Sequence, residues 1–90
     1  MNGIYKGKEE SKAQYDHLKC AEELNELATI LLQQFNKPHK DFSSEITEEM
    51  GDVLYRLKNM MDYYDRDTIL ARKKHKEEKC DPVRARKSKD

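Results

Sequence analysis

The chain has 90 residues, of which 36% are hydrophobic and 40% are charged, so it has room for one small domain and no second core. Its 18 basic and 18 acidic side chains give a formal net charge of zero, which argues against nucleic acid as a partner of the whole chain. No apolar run reaches the roughly 18–20 residues of a membrane span, and the first residues lack the apolar segment of a secretory signal. Cys20 and Cys80 have no CxxC partner and are expected to be reduced thiols, so we predict a cytoplasmic protein.

A first long helix is predicted from Ser11 to Phe35. Nothing in this stretch breaks a helix, and good helix formers dominate it. Its apolar residues recur at steps of three and four, as one buried stripe requires: Leu24, Leu27, Ala28, Leu31 and Phe35. Pro38 lacks a backbone donor and restricts the residue before it, so the helix should stop at Phe35 or Asn36.

A second helix is predicted to open at Ser43 or Ser44, because either hydroxyl can cap free backbone N–H groups. Its apolar stripe consists of Ile46, Met50, Val53, Leu54, Leu57, Met60, Met61 and Tyr64. Gly51 inside this helix costs about 1 kcal/mol relative to alanine, which indicates close packing at that position.

A turn at residues 65–67 should lead into a third helix from about Thr68 to Lys79, with Asp67 as its cap. Few of its residues are strongly apolar, so this helix contributes little to a core. We predict an all-α domain over residues 1–80, an antiparallel helical hairpin plus a third helix, followed by a basic, disordered tail at 81–90. Because a hairpin cannot surround its own apolar stripes, we expect a homodimer or homotetramer that completes a four-helix bundle.

Each long helix carries a pair of acidic residues three positions apart, which places both members on one helical face. The pairs are Glu23 with Glu26, and Glu49 with Asp52. At about 100° per residue both pairs border the apolar stripes, whereas the neighbouring Glu22 and Glu48 point to solvent. On facing helices, these four carboxylates can converge.

Converging carboxylates repel one another unless a positive charge neutralises them. One solution is a hard divalent cation, since carboxylate oxygens suit Mg²⁺, Mn²⁺ or Ca²⁺. Iron is the weaker alternative because neither pair has the Glu-x-x-His form of di-iron bundles, and the loop of an EF-hand is absent from the sequence. The remaining alternative is an ordinary solvated acidic face on each helix.

Two acidic motifs resemble the signature of the MazG-type all-α nucleoside triphosphate pyrophosphohydrolases. They are Glu22-Glu23-Leu24-Asn25-Glu26-Leu27 and Glu48-Glu49-Met50-Gly51-Asp52-Val53-Leu54. That signature is Glu-x-x-Glu, a spacer, then Glu-x-x-Asp, and the 22 residues between Glu26 and Glu49 fit the spacer. The resemblance covers roughly residues 14–64, and the short chain is similar to the single-domain members of bacteria and phages.

This resemblance implies that Glu23, Glu26, Glu49 and Asp52 are the catalytic residues and hold Mg²⁺, with Mn²⁺ as an alternative. It implies hydrolysis of a nucleoside triphosphate between its α- and β-phosphates, giving a nucleoside monophosphate and pyrophosphate. The candidates for phosphate contact, on the same side as the acidic pairs, are Lys19, Arg56 and Asn59. Lys19 and Arg56 have an alternative role in ordinary ion pairs, with Glu23 and with Asp52.

Other polar and aromatic residues are expected to be structural or exposed. We predict packing rather than base stacking for Tyr55, Tyr63 and Tyr64. A solvated basic helix is expected for Arg72, Lys73, Lys74 and Lys76, and His17 should lie away from the acidic face, with His39 and His75 at the surface. The rival functions are a non-catalytic helical interaction module, a phosphoribosyl-ATP pyrophosphohydrolase-like enzyme, or a nucleic-acid-associated protein acting through the basic third helix and tail.

Overall fold

A computed structural model describes the backbone of residues 7–81 and the side chains of residues 11–81. This part of the chain contains three α-helices and no strand: α1 at Gly7–Asn36, α2 at Ser43–Met60 and α3 at Arg66–Cys80. The prediction of an all-α fold is confirmed for these residues. Of the predicted tail, only its first residue falls within the described part. None of the helices described is both long enough and apolar enough to cross a membrane.

Helix α1 ends at Asn36, as Pro38 predicts, but it begins at Gly7, four residues before the predicted start. The side chain of Gln34 organises the connection that follows. Its Nε2 donates a hydrogen bond to the carbonyl of Lys40 at 2.7 Å, and its Oε1 accepts one from the N–H of Phe42 at 2.9 Å. These bonds satisfy backbone groups of the connection between α1 and α2.

Helix α2 begins at Ser43, one of the two predicted positions, but no serine hydroxyl caps it. Phe42 occupies the N-cap position and makes no side-chain cap. Instead, Oδ1 of Asp41 accepts a hydrogen bond from the N–H of Ser43 at 2.9 Å. Hydrogen bonds from the hydroxyl and the N–H of Ser43 lower the pKa of Asp41, because they stabilise its ionised form.

The turn before α3 lies at residues 61–65, so the prediction of a turn at 65–67 is wrong. The hydroxyl of Tyr63 donates to Oδ2 of Asp16 at 2.7 Å, and the hydroxyl of Tyr64 forms a 2.7 Å hydrogen bond with Nε2 of His17. These contacts with α1 draw the chain away from the axis of α2 directly after Met60. Helix α3 therefore starts earlier than predicted.

Helix α3 begins at Arg66 and ends at Cys80, where the sequence predicted about Thr68 to Lys79. Its N-cap residue is Asp65, which has an extended backbone, so the predicted cap at Asp67 is wrong. The hydroxyl of Thr68 donates a hydrogen bond to the carboxylate of Asp65. Asp67 lies in the first turn, where its negative charge suits the positive end of the helix dipole.

Helices α1 and α2 pack as an antiparallel hairpin, and within the described residues α3 packs against neither of them. Of residues 11–81, only Ala13, Cys20 and Val53 are buried. The radius of gyration is 16.7 Å, whereas a compact domain of 90 residues has one of about 12 Å. A single chain therefore has very little core.

One side of the hairpin is an uncovered apolar face. It is formed by Leu24, Ala28, Leu31 and Phe35 of α1 and by Met50, Leu54 and Leu57 of α2. All seven residues are exposed, with Phe35 at 81% and Leu54 at 66%. At 100° per residue each strip lies to one side of the residues that face the other helix, and the antiparallel arrangement brings both strips to the same side. The stripes predicted to be buried are thus buried only in part. Val53 is buried and Leu27 and Ile46 are half-buried, whereas the seven exposed residues flank the contact between α1 and α2.

Gly51 lies on the outer side of α2 and is exposed. A Cβ atom added there would meet no atom within 4 Å in the described structure. The prediction that this glycine permits close packing is therefore wrong for a single chain.

Candidate metal centre

The acidic pairs lie on the side of the hairpin opposite the apolar face. One carboxylate oxygen from each of Glu23, Glu49 and Asp52 lies within 4.8 Å of the other two. Glu23 and Glu49 are half-buried where the two helices meet, and Asp52 is exposed one turn further along α2. The hairpin thus brings together three of the four predicted ligands from two helices.

Glu49 lies in the most constrained environment of the three. Its Oε2 atom is buried and accepts no hydrogen bond from the residues that the structure describes. Burial is the largest cause that raises the pKa of Glu49. The negative charges of Glu26, Glu23 and Asp52 raise that pKa further, and the protonated acid also gains a hydrogen bond to Glu26. Glu49 therefore favours either a proton or a cation at this position.

Glu26 is the predicted ligand that does not join the set of three. It is exposed on α1, and its charge is the next cause after burial that raises the pKa of Glu49. Its carboxylate is thus beside the cluster without being one of the three converging groups. The flanking Glu22 and Glu48 are exposed, as their helical positions predict.

Arg56 provides a positive charge at the edge of the cluster. Its Nε lies 3.9 Å from Oε2 of Glu23, so it pairs across the two helices and not with Asp52, the alternative partner from sequence. Its guanidinium carbon lies 5.3 Å from the ring centre of Tyr55 and 6.0 Å from that of Tyr15. Contacts of this kind between a cation and an aromatic face hold the guanidinium in place.

Lys19 lies on the same side but is directed toward a different carboxylate. Its Nζ is 3.3 Å from Oε1 of Glu22, so the alternative pairing with Glu23 does not form. The same ammonium lies 5.6 Å from the ring centre of Tyr15. Asn59 is half-buried one turn beyond Arg56, on the acidic side of α2. The three predicted phosphate contacts therefore share the side of the cluster.

An open groove of about 320 Å³ adjoins the cluster toward the connection between α1 and α2. It is lined by Asn25, Thr29, Ile30, Gln33 and Glu45, together with the acidic residues Glu26 and Glu49. Sequence reasoning missed this groove because polar residues at steps of three and four on a helix are also typical of a solvated face. Sequence reasoning also missed Tyr15 as a neighbour of Lys19. The available signal was the spacing of four residues between them, which places both on one helical face.

The remaining predicted polar and aromatic residues lie outside the cluster. His17 contacts Tyr63 and Tyr64, with ring centres 5.4 and 5.8 Å away, so these rings join α1 to the turn after α2. The basic residues of α3 are exposed, as predicted: Arg72, Lys73, Lys74 and Lys76. His39 and His75 are exposed too, and the two cysteines are free thiols.

Comparison of the chain with protein-family models, with curated proteins and with solved structures found no significant match. The likeness to MazG-type enzymes therefore depends on the two acidic motifs of the sequence, and a functional argument has to start from the geometry of the cluster itself.

Proposed function

We propose that this protein is a Mg²⁺-dependent nucleoside triphosphate pyrophosphohydrolase, which cleaves its substrate to a nucleoside monophosphate and pyrophosphate. The observation that carries the proposal is the convergence of Glu23, Glu49 and Asp52 from two helices. One oxygen of Glu49 is buried and accepts no hydrogen bond from the described residues, which supports the proposal further.

The donor set suits Mg²⁺ because all three groups are carboxylates, and hard cations with oxygen ligands are held in this way. The same oxygens suit Mn²⁺. A cation would favour the ionised form of Glu49, which burial and its neighbours otherwise disfavour. A metal ion bound there would neutralise phosphate charge and acidify a bound water.

The remaining polar residues have separate roles in the proposed reaction. We assign the role of general base, which accepts the proton of the attacking water, to Glu26, beside the cluster but outside the set of three. The water oxygen bonds to the α-phosphorus, the bond from that phosphorus to the bridging oxygen breaks, and pyrophosphate leaves. Lys19 and Arg56 compensate the charge of the leaving group, for which Arg56 exchanges its 3.9 Å contact with Glu23 for phosphate oxygens. Asn59 donates a hydrogen bond to the same phosphates.

We further propose that two hairpins pack through their apolar faces to form a four-helix bundle, in a homodimer or in a homotetramer built from such pairs. The seven exposed apolar residues that share this face support the proposal, because contiguous exposed apolar patches mark interaction sites. The acidic cluster lies on the opposite side of each hairpin, so this pairing leaves it open to substrate.

One observation favours a second candidate function, a non-catalytic helical interaction module. A docking module also presents an exposed apolar face, as this hairpin does. Its third helix packs against neither α1 nor α2 in the described structure, which leaves that helix available to a partner. In that case the carboxylates serve solubility. The module predicts no pyrophosphate release, no Mg²⁺ affinity above background and no loss of fold in Glu49→Gln.

The test is an assay of pyrophosphate release in Mg²⁺ with a panel of ribonucleoside and deoxyribonucleoside triphosphates. The panel also contains phosphoribosyl-ATP, which tests the alternative of a phosphoribosyl-ATP pyrophosphohydrolase-like enzyme. We expect Glu49→Gln and Asp52→Asn to lower kcat at least about 100-fold, because each removes a ligand of the metal. The matched control is Glu48→Gln, an exposed carboxylate on the same helix, which should leave turnover unchanged. Full turnover by both cluster variants, or no release from any substrate, would overturn the proposal.

A further inference from the structure

The acidic cluster separates two chemically different ends of the same side of the hairpin. Toward the start of α1 and the end of α2 lie the cationic side chains of Lys19 and Arg56, each over the ring of Tyr15. Toward the connection between the helices lies the groove of about 320 Å³, which begins at Glu26 and Glu49. The protein surface around the cluster is therefore positively charged at one end and has no cationic side chain at the other. A ligand held at the cluster can extend toward either end.

The lining of the groove is suited to a neutral, partly apolar group. The side-chain amides of Asn25 and Gln33 make no hydrogen bond within residues 11–81, so their donors and acceptors are available. Ile30 is half-buried and offers an apolar surface. The hydroxyl of Thr29 is committed as a donor to the carbonyl of Asn25 at 2.8 Å, which leaves its oxygen as an acceptor.

Charge decides which end of a nucleotide the groove can accept. Glu45 lines the end of the groove away from the cluster, and no lysine or arginine lines the groove among the described residues. A triphosphate would meet repulsion there, whereas a nucleobase presents ring faces and neutral polar edges that the amides can pair with. The groove volume lies at the lower end of the range typical of small-molecule sites.

We infer that this groove binds the nucleoside end of the substrate, with the triphosphate directed along the hairpin toward Lys19 and Arg56. The inference rests on the proposed function, since it names how the substrate of that reaction lies. Gln33 lies fourteen positions after Lys19. At 1.5 Å per residue this offset is roughly 21 Å along α1, a length similar to that of an extended nucleoside triphosphate. This orientation places the α-phosphate at the cluster and the leaving pyrophosphate at the cationic end.

The test compares two substrates, the best nucleoside triphosphate of the panel and the matching sugar triphosphate that lacks the base. We expect Asn25→Ala and Gln33→Ala each to raise KM for the nucleotide by roughly 3- to 10-fold, the effect of losing one hydrogen bond. The same variants should leave KM for the baseless substrate unchanged. Gln14→Ala is the matched control, because Gln14 is an exposed amide on α1 at the far end from the groove and should change neither value.

A third variant, Thr29→Trp, fills the groove from an exposed position and should raise KM for the nucleotide more than for the baseless substrate. Helix content and melting temperature confirm that each variant folds. If the wild type releases pyrophosphate but all three variants affect both substrates equally, or neither, the inference is wrong while the proposed function stands. A wild-type protein that hydrolyses no triphosphate overturns the proposed function, and the inference with it.

Discussion

Replacement of Leu54 by aspartate tests whether the apolar face is an interface between two copies of the chain. Leu54 is 66% exposed in the single chain and lies in the α2 part of that face. In a monomer, an exposed substitution of this kind changes the free energy of unfolding by no more than about 0.5 kcal/mol. In a dimer that buries the face, the same substitution removes apolar contacts from both chains.

The exposed fraction of Leu54 sets the size of the effect. Full burial of a leucine side chain stabilises by about 1.5–3 kcal/mol, so covering the exposed two thirds gains about 1–2 kcal/mol per chain. A twofold-symmetric dimer contains two copies of Leu54, so the two together contribute about 2–4 kcal/mol per dimer. The dissociation constant of the dimer should therefore rise by about 30- to 1,000-fold.

Sedimentation or light scattering across a range of protein concentrations measures this constant. The matched control is Leu18→Asp, because Leu18 is 57% exposed and is turned away from the apolar face; its six-residue offset from Leu24 on α1 corresponds to about 120° around the helix. We expect the control to assemble like the wild type. A wild-type chain that stays monomeric at all concentrations, or equal effects of the two substitutions, would refute the reasoning.

Three further predictions concern stability. Without divalent cations, the raised pKa of Glu49 means that the protonated acid stabilises the fold fully below the ordinary pKa of 4.5, and that this stability is lost as the pH rises through the raised value. Glu49→Gln should remove this dependence from the melting temperature and make the metal-free protein more stable at neutral pH. Gly51→Ala should raise the free energy of unfolding by about 0.5–1 kcal/mol in urea denaturation, since the added methyl group meets nothing in the single chain. Tyr63→Phe should lower it by about 1 kcal/mol by removing the 2.7 Å hydrogen bond to Asp16.

Each of these predictions has its own control and contrary result. Glu48→Gln should keep the wild-type pH profile, and an identical profile for Glu49→Gln would show that the cluster does not perturb that acid. A loss of stability in Gly51→Ala would show that an assembly covers the outer side of α2. Tyr55→Phe should be neutral, because the Tyr55 hydroxyl makes no hydrogen bond within the described structure; equal losses in both tyrosine variants would contradict the role of Tyr63.

The helices themselves follow from local sequence signals. Pro38 and the periodic apolar residues predict the end of α1, and the start of α2 falls at a predicted position. The turn before α3 was misplaced because residues 61–64 contain no helix breaker. The chain leaves α2 there through tertiary hydrogen bonds from Tyr63 and Tyr64 to α1, which no local pattern reveals.

The sequence predicts which helix faces carry the candidate site, but it does not predict which side chains of the site contact one another. The spacing of the acidic residues predicts that four carboxylates converge on one side of the hairpin. Oxygens of Glu23, Glu49 and Asp52 do come together, whereas Glu26 stays outside this set of three. Sequence spacing fixes the angle at which a side chain leaves its helix. The pairing of Arg56 with Glu23 also depends on how far the two helices are shifted along their axes relative to each other. The groove depends on the same offset, so it was not foreseen.

Titration with Mn²⁺, followed by the electron paramagnetic resonance signal of the free ion, tests most directly whether the clustered carboxylates hold a divalent cation. We predict saturable binding to the wild type that Mg²⁺ displaces, affinity at least tenfold weaker in Glu49→Gln, and affinity equal to the wild type in Glu48→Gln. Binding of the same strength in all three proteins, or no saturable binding to the wild type, would contradict the central claim.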